Sequence, residues 1–200
     1  MFVYPQRIAV MDLTRKSLTY FASGTLVTMC DGAMMPVQRL RPGDSILSHT
    51  AQKTLVLSTK TVRTSGTILS VKVLGPYQKL RTNTFQRFAH YPNVLHDNHL
   101  EQYFVNWTPA GELSEGNHVL LPWIAANRTK FFDDYLQPIT PGSDIKMPAV
   151  TVKACAFGLL CPVVDITAHE LTNEKFYMVA LSGEGTLIAN GIATQASETF

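Results

Sequence analysis

Charge is scarce in this chain. Only 16% of its 200 residues are Asp, Glu, Lys or Arg, and 17 basic against 15 acidic side chains leave a net charge of +2. The basic residues are scattered, so the stripe that neutralises nucleic-acid phosphates is missing and no nucleic acid is expected as a partner. Long apolar runs are missing too. None approaches the roughly 20 residues that cross a bilayer, so no membrane association is expected. In the first 20 residues, Pro5, Arg7, Asp12, Arg15 and Lys16 interrupt any signal-peptide core. Cysteine is rare. Cys30, Cys155 and Cys161 are too few for a disulfide scaffold, and their odd number fits a reducing, cytoplasmic setting. The usual catalytic signatures are also missing: a Gly-x-Ser-x-Gly elbow, a phosphate loop and His-Glu-x-x-His. Gly183-x-Gly185 lacks the third glycine of a dinucleotide fingerprint. No cofactor is therefore expected.

What is present is apolar and punctuated. The chain is 46% hydrophobic, which rules out disorder, and its length fits one domain with short extensions. Turn signals recur at Asp31-Gly32, Pro42-Gly43-Asp44, Gly75-Pro76, Pro109-Ala110-Gly111, Gly116-Asn117 and Asn190-Gly191. Between them lie short β-branched and apolar runs. They are Thr25–Met29, Ser45–Leu47, Thr67–Leu74, His118–Leu121, Ala149–Val152, Val163–Ile166, Phe176–Leu181 and Thr186–Ala189. Asn190-Gly191 is a strong hairpin signal, because both of its turn residues must take positive φ. The expectation is an all-β fold. One stretch differs, from Trp123 to Met147. It predicts a short helix over Arg128–Tyr135 and then a loop bearing Pro138, Pro141 and Gly142.

The sequence also repeats itself. Pro36-Val-Gln-Arg-Leu40-Arg-Pro-Gly43-Asp44-Ser-Ile46-Leu47 matches Pro109-Ala-Gly-Glu-Leu113-Ser-Glu-Gly116-Asn117-His-Val119-Leu120. The shared pattern is Pro-x3-Leu-x2-Gly-[Asp/Asn]-x-[Ile/Val]-Leu. Two similar β-turns could arise by chance. The alternative is a duplicated β unit whose halves are related by a pseudo-twofold axis. Two copies do not make a solenoid.

Three blocks carry a family resemblance. Tyr20-Phe-Ala-Ser-Gly24-Thr25 through Asp31-Gly32 and Pro36 to Leu47 resembles the opening of inteins and Hedgehog-type autoprocessing domains, the Hint superfamily. His96-Asp-Asn-His99, followed by Trp107 to Leu113 and Gly116 to Pro122, resembles the family's Thr-x-x-His block and the turn after it. Phe176 to Val179 and Leu187 to Ala196 resemble its two closing blocks. Together the blocks cover about 90 residues in the family's order. The resemblance implies a horseshoe-shaped all-β domain over residues 20–196. Its flanks, 1–19 and 197–200, would be its own substrate. Stretch 123–147 would then be the short insertion that inteins carry in that region.

The same resemblance assigns site residues. Tyr20 takes the first position, where the family has a nucleophile that converts the preceding peptide bond to a thioester or ester. A phenol with pKa near 10 is a poor substitute for a thiol. Cys30 lies mid-strand and reads as a packing residue. His99 matches the histidine that protonates the scissile nitrogen, and His96 stands where the family has Thr. The His96-x-x-His99 spacing could also bind a metal, but a zinc site needs further ligands, so no metal is expected. Ala196 stands at the last position, where an Asn would cyclise and cut the chain; alanine cannot. Gln195 replaces the penultimate His, and Ser197 sits where a hydroxyl would take over the acyl chain. Met178 and Gly185 replace an acid and a histidine of the closing block. The expectation is therefore an intein-like self-cleaving or splicing domain that is blocked or divergent. The alternative is a non-catalytic β-domain that binds a host protein or forms part of a larger assembly.

Overall fold

Asn190 and Gly191 adopt φ of 48° and 86° and reverse the chain at the tip of a two-residue hairpin, as the sequence requires. The computed structural model describes residues 18–75, 79–91, 106–126, 144–147 and 150–197. Its strands are β1 (Phe21–Ala22), β2 (Leu26–Thr28), β3 (Met34–Pro36), β4 (Ser45–Leu47), β5 (Lys53–Val73), β6 (Leu80–Asn83) and β7 (Arg87–Tyr91). They continue as β8 (Asn106–Pro109), β9 (His118–Pro122), β10 (Asp144–Met147), β11 (Val150–Cys155), β12 (Gly158–Leu181), β13 (Thr186–Ala189) and β14 (Ile192–Gln195). One short helix, α1 (Trp123–Ala126), follows β9. The architecture is all-β, and every pairing between named strands is antiparallel.

The duplication holds at the level of individual hydrogen bonds. In each copy a strand ends in proline, β3 at Pro36 and β8 at Pro109, and passes into a 3-10 turn. That turn is fastened by Val37 N–H to Thr25 O in the first copy and by Ala110 N–H to Gln86 O in the second. The anchoring leucines then bond back, Leu40 N–H to Val37 O and Leu113 N–H to Ala110 O. Gly43 and Gly116 both take positive φ, 92° and 85°, where a Cβ would be strained. Asp44 Oδ2 accepts from Arg41 N–H, and Asn117 Oδ1 from Ser114 N–H, each at 2.8 Å. These Asx bonds explain why only Asp or Asn serves at that place in the repeat. β4 then pairs with β5 as β9 pairs with β12. The halves also exchange pieces: β1 pairs with β12, while β6 pairs with β5.

Two expectations change. Val163–Ile166 and Phe176–Leu181 are not separate strands. They belong to the 24-residue β12, which runs beside the 21-residue β5 over most of its length. The mainly polar residues between them, Ala168 to Lys175, are largely exposed, but their backbone is paired with Arg63 to Leu69 on both sides of an irregularity between Leu171 and Glu174. In the 123–147 stretch the helix is Trp123–Ala126, and the end is a strand, β10, paired with β11. Residues 127–143, which include the predicted helix, lie outside the described residues.

Two buried clusters matter for the site. The larger includes Phe21, Val27, Ile46, Phe88, Leu121 and Leu187. The smaller joins Leu18, Tyr20, Ala22, Val62, Ile68, Phe176 and Met178. At the β11–β12 turn Gly158 packs so closely on β9 that an added Cβ would lie 2.0 Å from the Leu121 carbonyl oxygen. That neighbour is backbone and cannot rotate away. Gly158→Ala is therefore expected to destabilise the chain by about 3 kcal/mol, read as a lowered urea midpoint at unchanged slope.

Candidate active site

Residues 18–20 lie against β6, with Phe21 opposite Thr82. Continuing that antiparallel register by one step sets Tyr20 opposite Asn83. Side chains of β6 hold the segment on both sides of Thr19. Asn83 Nδ2 donates to the Leu18 carbonyl at 2.7 Å, and Thr82 Oγ1 donates to the Tyr20 carbonyl. The chain is thus pinned one residue before and one residue after Thr19, which fixes the direction of the Thr19 carbonyl.

The other end of the resembling region arrives through β14. Gln86 Nε2 donates to the Gln195 carbonyl at 2.6 Å, and Ala196 N–H donates to Gly185 O at 2.7 Å. Ser197 N–H donates to Val179 O on β12. These bonds carry the Ser197 hydroxyl to Thr19. Ser197 Oγ donates to the Thr19 carbonyl at 2.9 Å and accepts from Thr19 N–H at 3.1 Å. It lies 3.0 Å from Thr19 Oγ1. A hydroxyl has one proton. With that proton on the carbonyl, Thr19 Oγ1 must be the donor to Ser197. Both residues are buried, at 6% and 4% exposure, so bulk water does not compete for these bonds.

The sequence-derived residues fall into three groups. Ser197, Ala196 and Gln195 line one end of this contact, and a cleft of about 340 Å³ beside them is walled by Gly183, Glu184 and Gly185. Tyr20 follows Thr19, but its ring is only 2% exposed and belongs to the smaller apolar cluster, as does Met178. His96 and His99 lie outside the described residues. Cys30 is half-buried and donates from Sγ to Ile46 O at 3.1 Å.

Sequence reading did not single out Thr82, Asn83 or Gln86. A signal existed: Asn83-x-x-Gln86 has the same i, i+3 spacing as the sought block, and Arg87-Phe88 opens an apolar strand after it. Both amides are polar but rarely catalytic, so the histidine pair downstream drew attention instead. Their oxygens, Asn83 Oδ1 and Gln86 Oε1, are buried and have no hydrogen-bond partner among the described residues. Among the described residues no histidine, lysine or carboxylate hydrogen-bonds to the Thr19 or Ser197 hydroxyl, and no cluster of three or more metal-ligating side chains is present.

No protein-family model matches the chain. No curated protein matches it either. Solved structures do. A variant of the Ssp DnaB mini-intein superposes with a TM-score of 0.59 at 17% identity, over 92% of this chain and 97% of that one. The bacterial intein-like domain from Clostridium thermocellum gives 0.59 at 15% identity, over 90% and 99%. The chain has the Hint fold. The DnaB intein from Synechocystis sp. PCC 6803 also matches, with a TM-score of 0.58 and 15% identity over 90% and 99% of the two chains. At these identities the likeness is one of fold. The Hint fold accounts for the paired turns and the exchanged strands β1 and β6, and for the nearly all-β structure of the described residues.

Two further histidines sit within this Hint fold, His90 buried and His49 half-buried. His49 Nδ1 sits 2.9 Å from Thr186 Oγ1 and 3.8 Å from Glu184, with its ring edge-on to Trp107. Burial lowers its pKa, against the opposing pull of Glu184. His90 Nδ1 bonds to Thr108 Oγ1 at 3.0 Å; burial and then the nearby His118 lower its pKa as well. Both therefore hold a proton less tightly in the folded chain than in the unfolded one, where His titrates near 6.5. The unfolded chain binds more protons below that pH, so stability is expected to fall as pH drops from about 7.5 toward 5. Urea midpoints across that range test this. His90→Gln, which can keep the bond to Thr108, should flatten the slope. An unchanged slope would show that His90 does not contribute.

Proposed function

We propose that the chain is an intein-like autoprocessing domain, residues 20–196, whose substrate is its own flanking sequence. The reading rests above all on one observation: the Ser197 hydroxyl donates to the Thr19 carbonyl at 2.9 Å. A nucleophile held against a carbonyl has most of its approach entropy removed in advance. In this reading Tyr20 is bypassed. Ser197 Oγ bonds to the Thr19 carbonyl carbon, the Thr19–Tyr20 C–N bond breaks, and the proton lost by Ser197 ends on the Tyr20 nitrogen. The product is an ester that joins residues 1–19 to the Ser197 side chain, with a new amine at Tyr20. For this step the two hydroxyls exchange roles: Ser197 turns its proton from the carbonyl to Thr19 Oγ1, 3.0 Å away, which frees a Ser197 lone pair to attack. Asn83 and Gln86 act as positioning residues. Ala196 has no amide to cyclise, so splicing stops at the ester. His99 and His96 remain candidate proton donors for the Tyr20 nitrogen.

The rearrangement leaves the mass unchanged, so an intact-mass measurement alone would miss it. The test is to quench incubated protein into hydroxylamine, which cuts esters. Expected are a hydroxamate of residues 1–19 and a fragment that begins at Tyr20. The second reading, a structural or protein-binding module, draws on the burial of Leu18 and Tyr20 in one apolar cluster. That packing would hold the leader as part of the fold. Protein that gives neither fragment after days at neutral pH would favour this second reading.

A further inference from the structure

The two copies of the repeat differ at one place. In each, a tight turn leads into the strand that the 3-10 turn fastens. Thr25 N–H donates to Ala22 O in the first copy, and Gln86 N–H donates to Asn83 O in the second. Gly24 and Phe85 are therefore counterparts, as are Gln38 and Gly111. Gly24 takes φ of 86°, the type II form of the turn, and its N–H donates to Gln38 Oε1 at 2.9 Å. Phe85 keeps negative φ, as bulky residues do. The central peptide of its turn is consequently turned over, and the Thr84 carbonyl accepts from Gly111 N–H at 2.9 Å. In the first copy the Gln38 side chain reaches across this place. Gly111 has no side chain, and in the second copy a cleft of about 350 Å³ lies there.

The lining of this cleft carries one charge of each sign. Arg87 opens β7, and Glu112 closes the second 3-10 turn. Both are exposed, and among the described residues neither forms an ion pair. The half-buried Phe85 and Pro109 add apolar surface. The Thr84 carbonyl has used one lone pair on Gly111 and keeps a second. A carboxylate suits the Arg87 fork, and an ammonium suits Glu112 and that carbonyl. An anion alone would be repelled by Glu112, and a cation alone by Arg87. We propose that this cleft binds a free amino acid with an apolar side chain, which brings both charges and the apolar group in one small molecule. The site is independent of the acyl transfer, since none of the residues that meet at Thr19 lines it. A ligand this small in an open cleft is expected to bind with a Kd of about 1–10 mM.

The test titrates L-leucine into the isotope-labelled full chain and follows its amide resonances. Those of Phe85, Gly111 and Glu112 should move and saturate together. N-acetyl-L-leucine lacks the ammonium and L-leucinamide lacks the carboxylate, so each should bind at least about threefold more weakly, the size of effect that partly exposed charge pairs give. Two variants then assign the charges. In Glu112→Gln the gap between L-leucine and N-acetyl-L-leucine should close, and in Arg87→Gln the gap between L-leucine and L-leucinamide should close. Both side chains are exposed, so neither change should unfold the chain. Absence of saturable shifts at these amides by about 50 mM L-leucine, well above the expected Kd, would overturn the site. Equal binding of the three compounds, or gaps that persist in both variants, would overturn it as well.

Discussion

Ser197→Ala is expected to lower the release of residues 1–19 by at least about 10³-fold, because it removes an intramolecular nucleophile held 2.9 Å from the oxygen of the carbonyl it would attack. The same substitution deletes the hydroxyl's bonds to Thr19, so far-UV circular dichroism and the urea midpoint must accompany the measurement. Ser197→Cys gives an independent reading. A thiol ionises near neutral pH where a hydroxyl does not, and the thiolate is a stronger nucleophile. Its product is a thioester, which dithiothreitol cuts. Release in dithiothreitol should therefore appear in Ser197→Cys, faster than hydroxylamine release from the parent chain by about tenfold or more. A folded Ser197→Ala chain that still frees its leader at the parental rate would show that another group accepts the acyl chain.

Tyr20→Cys is expected to cost about 3 kcal/mol of stability, a fall in melting temperature of about 6–12 °C for a chain of this size. Sequence resemblance alone makes this change, with Ala196→Asn, look like a repair that restores the family's first nucleophile and last amide. The fold argues otherwise. The Tyr20 ring fills the cluster formed with Leu18, Val62, Ile68, Phe176 and Met178, and a cysteine leaves most of that volume empty. Its thiol would also sit in apolar surroundings, which raise a thiol's pKa and suppress the reactive thiolate. Loss of stability without thiol-dependent cleavage is the expected result. Tyr20→Phe completes the test, since it keeps the ring and removes the phenol oxygen. Leader release should be the same in Tyr20→Phe as in the parent, whereas a nucleophilic phenol would make it vanish.

Local features of this protein were legible in its residues. Backbone positions that demand positive φ or an Asx bond admit few residue types, so Asn190-Gly191, Gly43-Asp44 and Gly116-Asn117 announced their turns. Strands flanked by such turns, as Ser45–Leu47 and Thr186–Ala189 are, followed from composition. The duplication showed for the same reason: each copy needs its Pro, Leu, Gly and Asp or Asn for a local bond. Missing chemistry was equally plain, because no context gives Ala196 an amide or Gly185 an imidazole. Long-range pairing was not legible. Ala168 to Lys175 looks like a break between strands because its side chains are mainly polar, yet most of its backbone is paired with β5, 99 to 112 residues earlier in the chain. A ladder needs only N–H and C=O groups, which every residue but proline supplies, so side-chain character cannot reveal it. The same holds at the site. That Ser197 should meet Thr19, and that Thr82, Asn83 and Gln86 should hold the two ends, depends on how strands of both halves lie together. Those bonds join residues 62 to 178 positions apart, and only tertiary packing sets such distances.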